Sequence, residues 1–380
     1  MAAISFEIQQ NCASTRARIG RVTTPHGSFE TPAFMPVGTR SAMKGLTPAQ
    51  TRATGAEIIL NNAYHLMLRP GDDLIARRGG VHEFMRWNRP ILTDSGGYQA
   101  FSMSDINALD EDGVTFKSII DGSMIRLTPE RSIEVQNNLG ADIIMAFDDC
   151  PPHVEPGDEG RKRLEEANER TIRWLERCVA AHRRPDDQAL FGIVQGGGAR
   201  DLREQSARQV SAIDLPGYAI GGVAVGEGTD AIREVVEFTA PLLPSHKPRY
   251  LMGVGYEVDI VMAVRAGVDM FDCVLPTRNG RNAMAFTRAG RLKLRNARFA
   301  EDDAVIDPDC DCETCAGGFS RAYLRHLFMA EEMLGPTLVS LHNLRHFQRL
   351  IVDMRQCIRH NDWSLLFRSW PILDPLVGSP

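Results

Sequence analysis

Eight short apolar runs recur along the chain: Ala33 to Val37, Glu57 to Leu60, Pro90 to Thr93, Asp142 to Phe147, Leu190 to Val194, Tyr218 to Ile220, Tyr250 to Met252 and Val268 to Phe271. Several are apolar at nearly every position instead of alternating, the pattern of parallel strands covered on both faces. Amphipathic stretches such as Gly160 to His182 and Asp201 to Ile213 lie between them and are long enough for crossover helices. Eight strand-helix units in about 250 residues match a closed parallel barrel, whereas doubly wound sheets usually stop at about five or six strands. The expected fold class is α/β, a (β/α)8 TIM barrel over residues 1–300, with an open α/β sheet as the alternative. Beyond it, residues 301–380 are expected to form a zinc-binding and helical subdomain packed on the barrel.

Chemistry-bearing residues follow six of the runs: Asp94, Asp148, Gln195, Gly222 with Val223, Met252 with Gly253, and Asp272. A parallel barrel opens all its strand C-termini on one face, so these separate segments are expected to meet at one mouth. Taken singly each has a plainer reading. Asp94, standing shortly before the paired glycines of "LTDSGGYQAF", can form a turn or cap a helix; one of Asp148 and Asp149 can cap the segment that follows; Gln195 can satisfy loop backbone. Together they form a set suited to a purine. A carboxylate such as Asp148 can accept from the paired N–H donors of guanine's Watson–Crick edge, while the Gln195 amide and a glycine N–H can donate to its carbonyl. Tyr98 and Met252 are candidates to sandwich the ring. That leaves Asp94 and Asp272 to divide the work at a sugar–base bond, one moving a proton and one attacking the anomeric carbon.

From Cys273 to Ala300 there are seven Lys or Arg and no Asp or Glu, in a chain whose formal net charge is -6. An acidic protein is not built for indiscriminate nucleic-acid binding, so any polyanion must meet a local patch. Arg278 and Arg281 lie nearest Asp272, where phosphate contacts are needed if Asp272 acts on a nucleotide. The stretch from Gly280 to Arg298 reads as a basic hairpin with its turn at Arg288 to Arg291, followed by helices from Arg321 onward. No window approaches the roughly 18 apolar residues of a membrane span, and the first residues do not read as a leader, so the expected location is the cytoplasm.

Three of the eight cysteines crowd into Cys310, Cys312 and Cys315, and 26 residues separate Cys315 from His342. Three thiolates and an imidazole complete a tetrahedral shell with no open position, so one structural zinc per chain is expected. Three reduced surface cysteines or a catalytic metal site are the alternatives, and His326 and His346 are rival fourth ligands.

The segments TPAFMPVGT, NNAYHLMLRPG, TDSGGYQ, GVTFKS, MAFDDC, FGIVQGG, GGVAVGEG, LMGVG and MFDCVLPTRNGRN, with the cysteine cluster and LHNL, closely resemble the queuine tRNA-ribosyltransferases, or tRNA-guanine transglycosylases, of the bacterial type. The resemblance spans essentially the whole chain. It implies a zinc-bearing barrel that acts as a homodimer and exchanges guanine at the wobble position of the tRNA anticodon loop for a 7-deazaguanine base. By motif, Asp272 corresponds to a nucleophile and Asp94 to a general acid/base. Asp148, Gln195, Gly222 and Val223 correspond to base readers, Tyr98 and Met252 to stacking residues, and Arg278 and Arg281 to tRNA anchors. Cys150 and Ala224-Val225 fit relatives that use 7-aminomethyl-7-deazaguanine. Asp149 and Val223 depart from the pattern, which has Glu and Leu there.

Overall fold

The computed structural model describes residues 3–103, 106–152 and 157–376. Eight parallel strands close on themselves: β1 (Ala33–Gly38), β2 (Ile59–Asn61), β3 (Ile91–Thr93), β4 (Ile143–Met145), β5 (Ala189–Val194), β6 (Gly217–Ile220), β7 (Arg249–Leu251) and β8 (Met270–Cys273). The ring is sealed where β8 meets β1, in register from Met270 opposite Ala33 to Cys273 opposite Pro36. Closure excludes the open sheet.

The near-continuous hydrophobicity of the strands has a direct cause. Ala33, Met35, Val37, Leu92, Ile143, Met145, Phe191 and Ile193 form one buried cluster, and the intervening Phe34, Ile91, Ile144, Leu190 and Val194 belong to another, under the helices. Alternate side chains therefore serve two different cores, and neither face tolerates polarity. Not every residue of the expected runs enters the ladder: Asp142 and Asp269 precede β4 and β8 and use their carboxylates to tie loops together.

Three antiparallel strands, Ser5–Asn11, Arg18–Thr24 and Gly27–Thr31, precede the barrel and were not foreseen. Val22 and Phe29 of this sheet join the interior cluster. Ion pairs and hydrogen bonds hold the sheet on the N-terminal end of the barrel. Arg18 meets Asp269 through Nε at 2.9 Å and Nη2 at 2.6 Å, and the Arg249 N–H donates to the same carboxylate at 2.8 Å. Asp142 accepts from the Ile91 N–H at 2.9 Å and is flanked by His26 Nδ1 at 2.8 Å and His82 Nε2 at 3.0 Å. The two imidazoles stack 3.5 Å apart with planes 12° from parallel. An ion lying in the plane of one ring would sit well out of the plane of the other, so this group is a hydrogen-bonded brace and not a metal site.

The expected basic hairpin is shorter than the sequence suggests. Its strands are Met284–Thr287 and Gly290–Lys293, with only Arg288 and Ala289 in the turn. Gly280 and Arg281 instead end a helix, Leu275–Arg281, that starts directly after β8 with Pro276 in its first turn. Pro pre-sets the helical φ where its missing N–H is not needed. A helix from Leu334 to His360 packs against this short helix, the hairpin and β1. Among the described residues, no helix is long and apolar enough to cross a membrane.

Candidate active site and metal centre

Asp94 directly follows β3. Its Oδ1 accepts from the Ala63 N–H at 2.7 Å, and its Oδ2 from the Asn62 amide. Both donors lie just past β2, so two adjacent strand ends hold one carboxylate. Burial, opposed by these hydrogen bonds and reinforced by the charge of Asp272, pushes the Asp94 carboxyl up to about 6. Asp272 is the third residue of β8. Tyr250 Oη donates to its Oδ1 at 2.6 Å and the Gly253 N–H to the same atom at 2.8 Å, leaving Oδ2 without a hydrogen-bond partner among the described residues. Burial raises the Asp272 carboxyl and, with the nearby Asp272 charge, holds the Tyr250 phenol well above its usual range. Tyr250 therefore stays a donor.

Asp148, past the end of β4, accepts from Gln195 Nε2 at 2.6 Å. Burial, and secondarily Asp149, pushes its carboxyl up to about 7. A Cβ on Gly97 would lie 3.3 Å from the Asp148 carbonyl oxygen, which brings the loop after Asp94 onto the loop after β4. Gly222, at φ +63, is packed so tightly that a Cβ would fall 2.2 Å from Gln195 Oε1. Only glycine fits there. Val223 is buried, and the next two N–H groups, of Ala224 and Val225, donate to the Glu227 carboxylate at 2.6 and 2.8 Å. The Met252 N–H donates to the Ile220 carbonyl at 3.3 Å, and its side chain packs partly against the barrel interior. Tyr98 is exposed, close enough to Cys150 and Glu227 to feel their charges after the effect of its own burial. Asp149 turns elsewhere. It is bound by Arg163 at 2.5 and 2.9 Å and by Arg170, so it anchors the helix Asp158–Ala181.

Asp94, Asp148 and Asp272 thus share one feature: among the described residues each is held by neutral donors alone. Just past Asp272 in the chain, cations gather that pair with no carboxylate among the described residues. Arg278 and Arg281 lie on the helix after β8, and Lys44 is pressed down first by burial and then by Arg281 and Arg40. Strand-end logic singles out neither Arg40 nor Lys44. It also misses Asn62, which stands at a strand end in NNAYHL and was legible there. Tyr250 was hidden inside an apolar run, and Arg203 interrupts the buried face of an amphipathic helix.

Cys310, Cys312, Cys315 and His342 are all buried, with ligand atoms within 4.8 Å of one another. His342 Nε2 donates to the Phe286 carbonyl at 2.7 Å, which turns Nδ1 toward Cys315 Sγ at 3.3 Å and Cys312 Sγ at 3.6 Å. The donor set and the spent second nitrogen suit a metal ion, and the cluster could hold one. His346 is engaged by Glu257 at 2.9 Å, and His326 stacks beside Tyr323, so neither rival joins the cluster. The helix that carries His342 reaches the cationic one directly. Asn343 Nδ2 donates to the Pro276 and Met284 carbonyls at 2.9 Å, and a Cβ on Gly280 would meet Ser340 backbone at 2.8 Å.

A model of the family described as queuine tRNA-ribosyltransferase matches residues 12–370. The queuine tRNA-ribosyltransferase of Synechococcus elongatus is 53% identical over 370 residues, covering 97% of this chain and 95% of its own. That of Cyanothece sp. is 54% identical over 366 residues (96% and 95%), and that of Acetivibrio thermocellus 53% over 358 (94% and 94%). With the closed barrel, the convergent carboxylates and near-complete coverage in agreement, the chain belongs to the queuine tRNA-ribosyltransferases, a family of pentosyltransferases.

Proposed function

We propose that this enzyme is a tRNA-guanine transglycosylase of queuosine biosynthesis, exchanging guanine at the anticodon wobble position for 7-aminomethyl-7-deazaguanine in the cytoplasm. The observation that carries the reading is the placement of three carboxylates, Asp94 and Asp148 buried and Asp272 partly so, none paired with a cation among the described residues, at the C-terminal ends of strands of one barrel. Uncompensated carboxylates cost stability, and active sites are where that cost is tolerated.

In this reaction Asp272 Oδ2 attacks ribose C1′ while Tyr250 and the Gly253 N–H hold Oδ1. The bond to guanine N9 breaks, Asp94 delivers a proton to the departing base, and a ribosyl ester remains on Asp272. The incoming deazaguanine loses its N9 proton to Asp94, and N9 attacks C1′ as Asp272 leaves. The proton given in the first half is recovered in the second. A carboxyl near 6 is suited to both roles at neutral pH. Asp148 accepts from the base's N–H donors, Gln195 and Gly222 address its carbonyl, Val223 lines the pocket, and Tyr98 and Met252 flank the ring. Arg278 and Arg281 bind phosphates beside it. Extruding a base from a single-stranded loop costs only a few kcal/mol, which such contacts offset.

The cysteine–histidine cluster would hold zinc, whose closed shell supplies structure and not chemistry. The segment 301–380 is then a subdomain that fixes the cationic helix. Exposed apolar side chains near it, including Tyr323, Met329 and Met333 at 85% exposure, support a homodimer.

Incubation of the purified chain with an anticodon stem-loop and labelled 7-aminomethyl-7-deazaguanine tests the proposal. Label in RNA supports it, whereas abasic RNA and free base would identify a hydrolase.

A further inference from the structure

Arg203 lies on the helix Arg200–Ser211 between β5 and β6 and is only 1% exposed. No carboxylate among the described residues forms an ion pair with it; Cys150 and Glu227 act on it only through longer-range charge. Its guanidinium instead donates to four backbone carbonyls. Nε reaches Gly197 at 2.8 Å, Nη1 reaches Gly221 at 2.7 Å and Val194 at 3.2 Å, and Nη2 reaches Gly222 at 3.0 Å. Val194 ends β5 and Gly197 lies in the loop after it that carries Gln195, while Gly221 and Gly222 belong to the loop after β6.

A buried cation without a counter-ion is costly, so a plain structural link between two loops would be served better by a neutral amide or hydroxyl. Guanidinium offers something those groups lack: donors in a rigid planar fork, able to fix several acceptors at once. The surroundings are packed to match. A Cβ on Gly196 would approach the Arg203 backbone nitrogen to 2.8 Å, and one on Gly221 would lie 2.8 Å from Gln195 Nε2. The fork engages the carbonyls of Gly197, Gly221 and Gly222, while that of Val194 also accepts from the Gly221 N–H.

We propose that Arg203 is a positioning residue for base selection, holding Gln195 and Gly222 in register and withholding their loops' carbonyls, so that the pocket offers donors to a 6-oxo purine and rejects a 6-amino one. This rests on the transglycosylase reading given above. A 6-amino group needs acceptors at that edge, and Arg203 has already engaged those of Gly221 and Gly222.

The test compares Arg203→Lys with the wild type in the metal-loaded full chain. Competition binding against labelled guanine gives the affinities of guanine and 2,6-diaminopurine, with guanine exchange into tRNA measured in parallel. Lysine keeps the charge but lacks the fork, and the guanine preference is expected to fall about tenfold, the scale of one misplaced hydrogen-bonding group. Melting temperature should fall as well, since a lysine leaves buried carbonyls without a donor, so the deciding readout is the ratio of the two affinities. An unchanged preference, with both affinities weakened equally, makes Arg203 a structural link and overturns the proposal. Arg203→Gln serves if the lysine variant does not fold, and failure of both to fold also overturns it. Wild-type protein that discriminates between the free bases without exchanging them would retire the transglycosylase reading while leaving the Arg203 comparison readable.

Discussion

The two ends of the barrel use the same residue in opposite ways, and two strands carry both versions. Asp142 and Asp269 stand before β4 and β8, Asp148 and Asp272 at or beyond their far ends. At the N-terminal end the carboxylates are surrounded by charged or chargeable donors: Arg18 grips Asp269, while His26 and His82 flank Asp142 and, against the effect of its burial, hold it far below the usual carboxylate range. At the C-terminal end the donors are neutral, and burial pushes Asp94 and Asp148 up to about 6 and 7. One end is a seal that gains stability from its charges. The other gives up stability to hold carboxylates beside neutral donors, which is what the proposed chemistry on ribose and base requires.

Removing charge at each end should break this symmetry most clearly. Asp272→Asn is expected to abolish the covalent RNA adduct and lower exchange by about 10⁴-fold or more, as removal of a nucleophile does, without lowering the melting temperature. An adduct that survives the change would refute the assignment. Asp269→Asn should do the reverse. It strands Arg18 in the interior, costing about 3–5 kcal/mol in denaturant unfolding, with exchange at 25 °C nearly intact. Stripping the metal or replacing Cys312 with Ser should loosen the helix that carries Arg278 and Arg281. The KM for tRNA is expected to rise about tenfold, a loss of roughly one phosphate-contact energy, while the base's affinity holds.

The pH responses sharpen the contrast. If Asp148 reads the base as a carboxylate, as proposed, guanine affinity should be full above about pH 7 and fall as pH drops through that value. Because the folded value lies above the unfolded one, ionised Asp148 costs stability, and Asp148→Asn should stabilise the chain at pH 8 more than at pH 5. The smallest effect belongs to His26. Its hydrogen bond to Asp142 outweighs burial and raises the imidazole, so its contribution is present below its unfolded value and lost as pH rises through the folded one. His26→Ala should therefore cost more at pH 6 than at pH 9, and under about 1 kcal/mol because the ring is substantially exposed. A larger penalty at pH 9 would reverse that reading.

The position of the candidate site was legible because apolar runs stop abruptly on Asp94, Gln195 and Asp272, which the structure places at or just past strand ends. The sealing end was not. Its first strand, Ser5–Asn11, alternates between exposed and half-exposed positions, and the other two bury apolar side chains such as Val22 and Phe29 only among polar neighbours, so no continuous apolar run marks them. The hairpin was overextended because its basic charge begins earlier than its pairing does: Arg278 and Arg281 belong to a helix set by Pro276. Tyr250 and Arg203 stayed hidden for a related reason. A phenol in an apolar run and an arginine on a helix's buried face show their purpose only once their partners are known.

Local order along the chain determined the parallel barrel, the cysteine–histidine ligand set and the carboxylates at the strand ends, since periodicity and spacing are properties of neighbours. Which carboxylate meets a cation and which meets only an amide, a phenol or a backbone N–H was decided by closure of the barrel. That step brings residues such as Arg18 and Asp269, or Tyr250 and Asp272, into contact across long stretches of sequence. A carboxylate's ionisation depends on what surrounds it in space, and one-dimensional order does not carry that information.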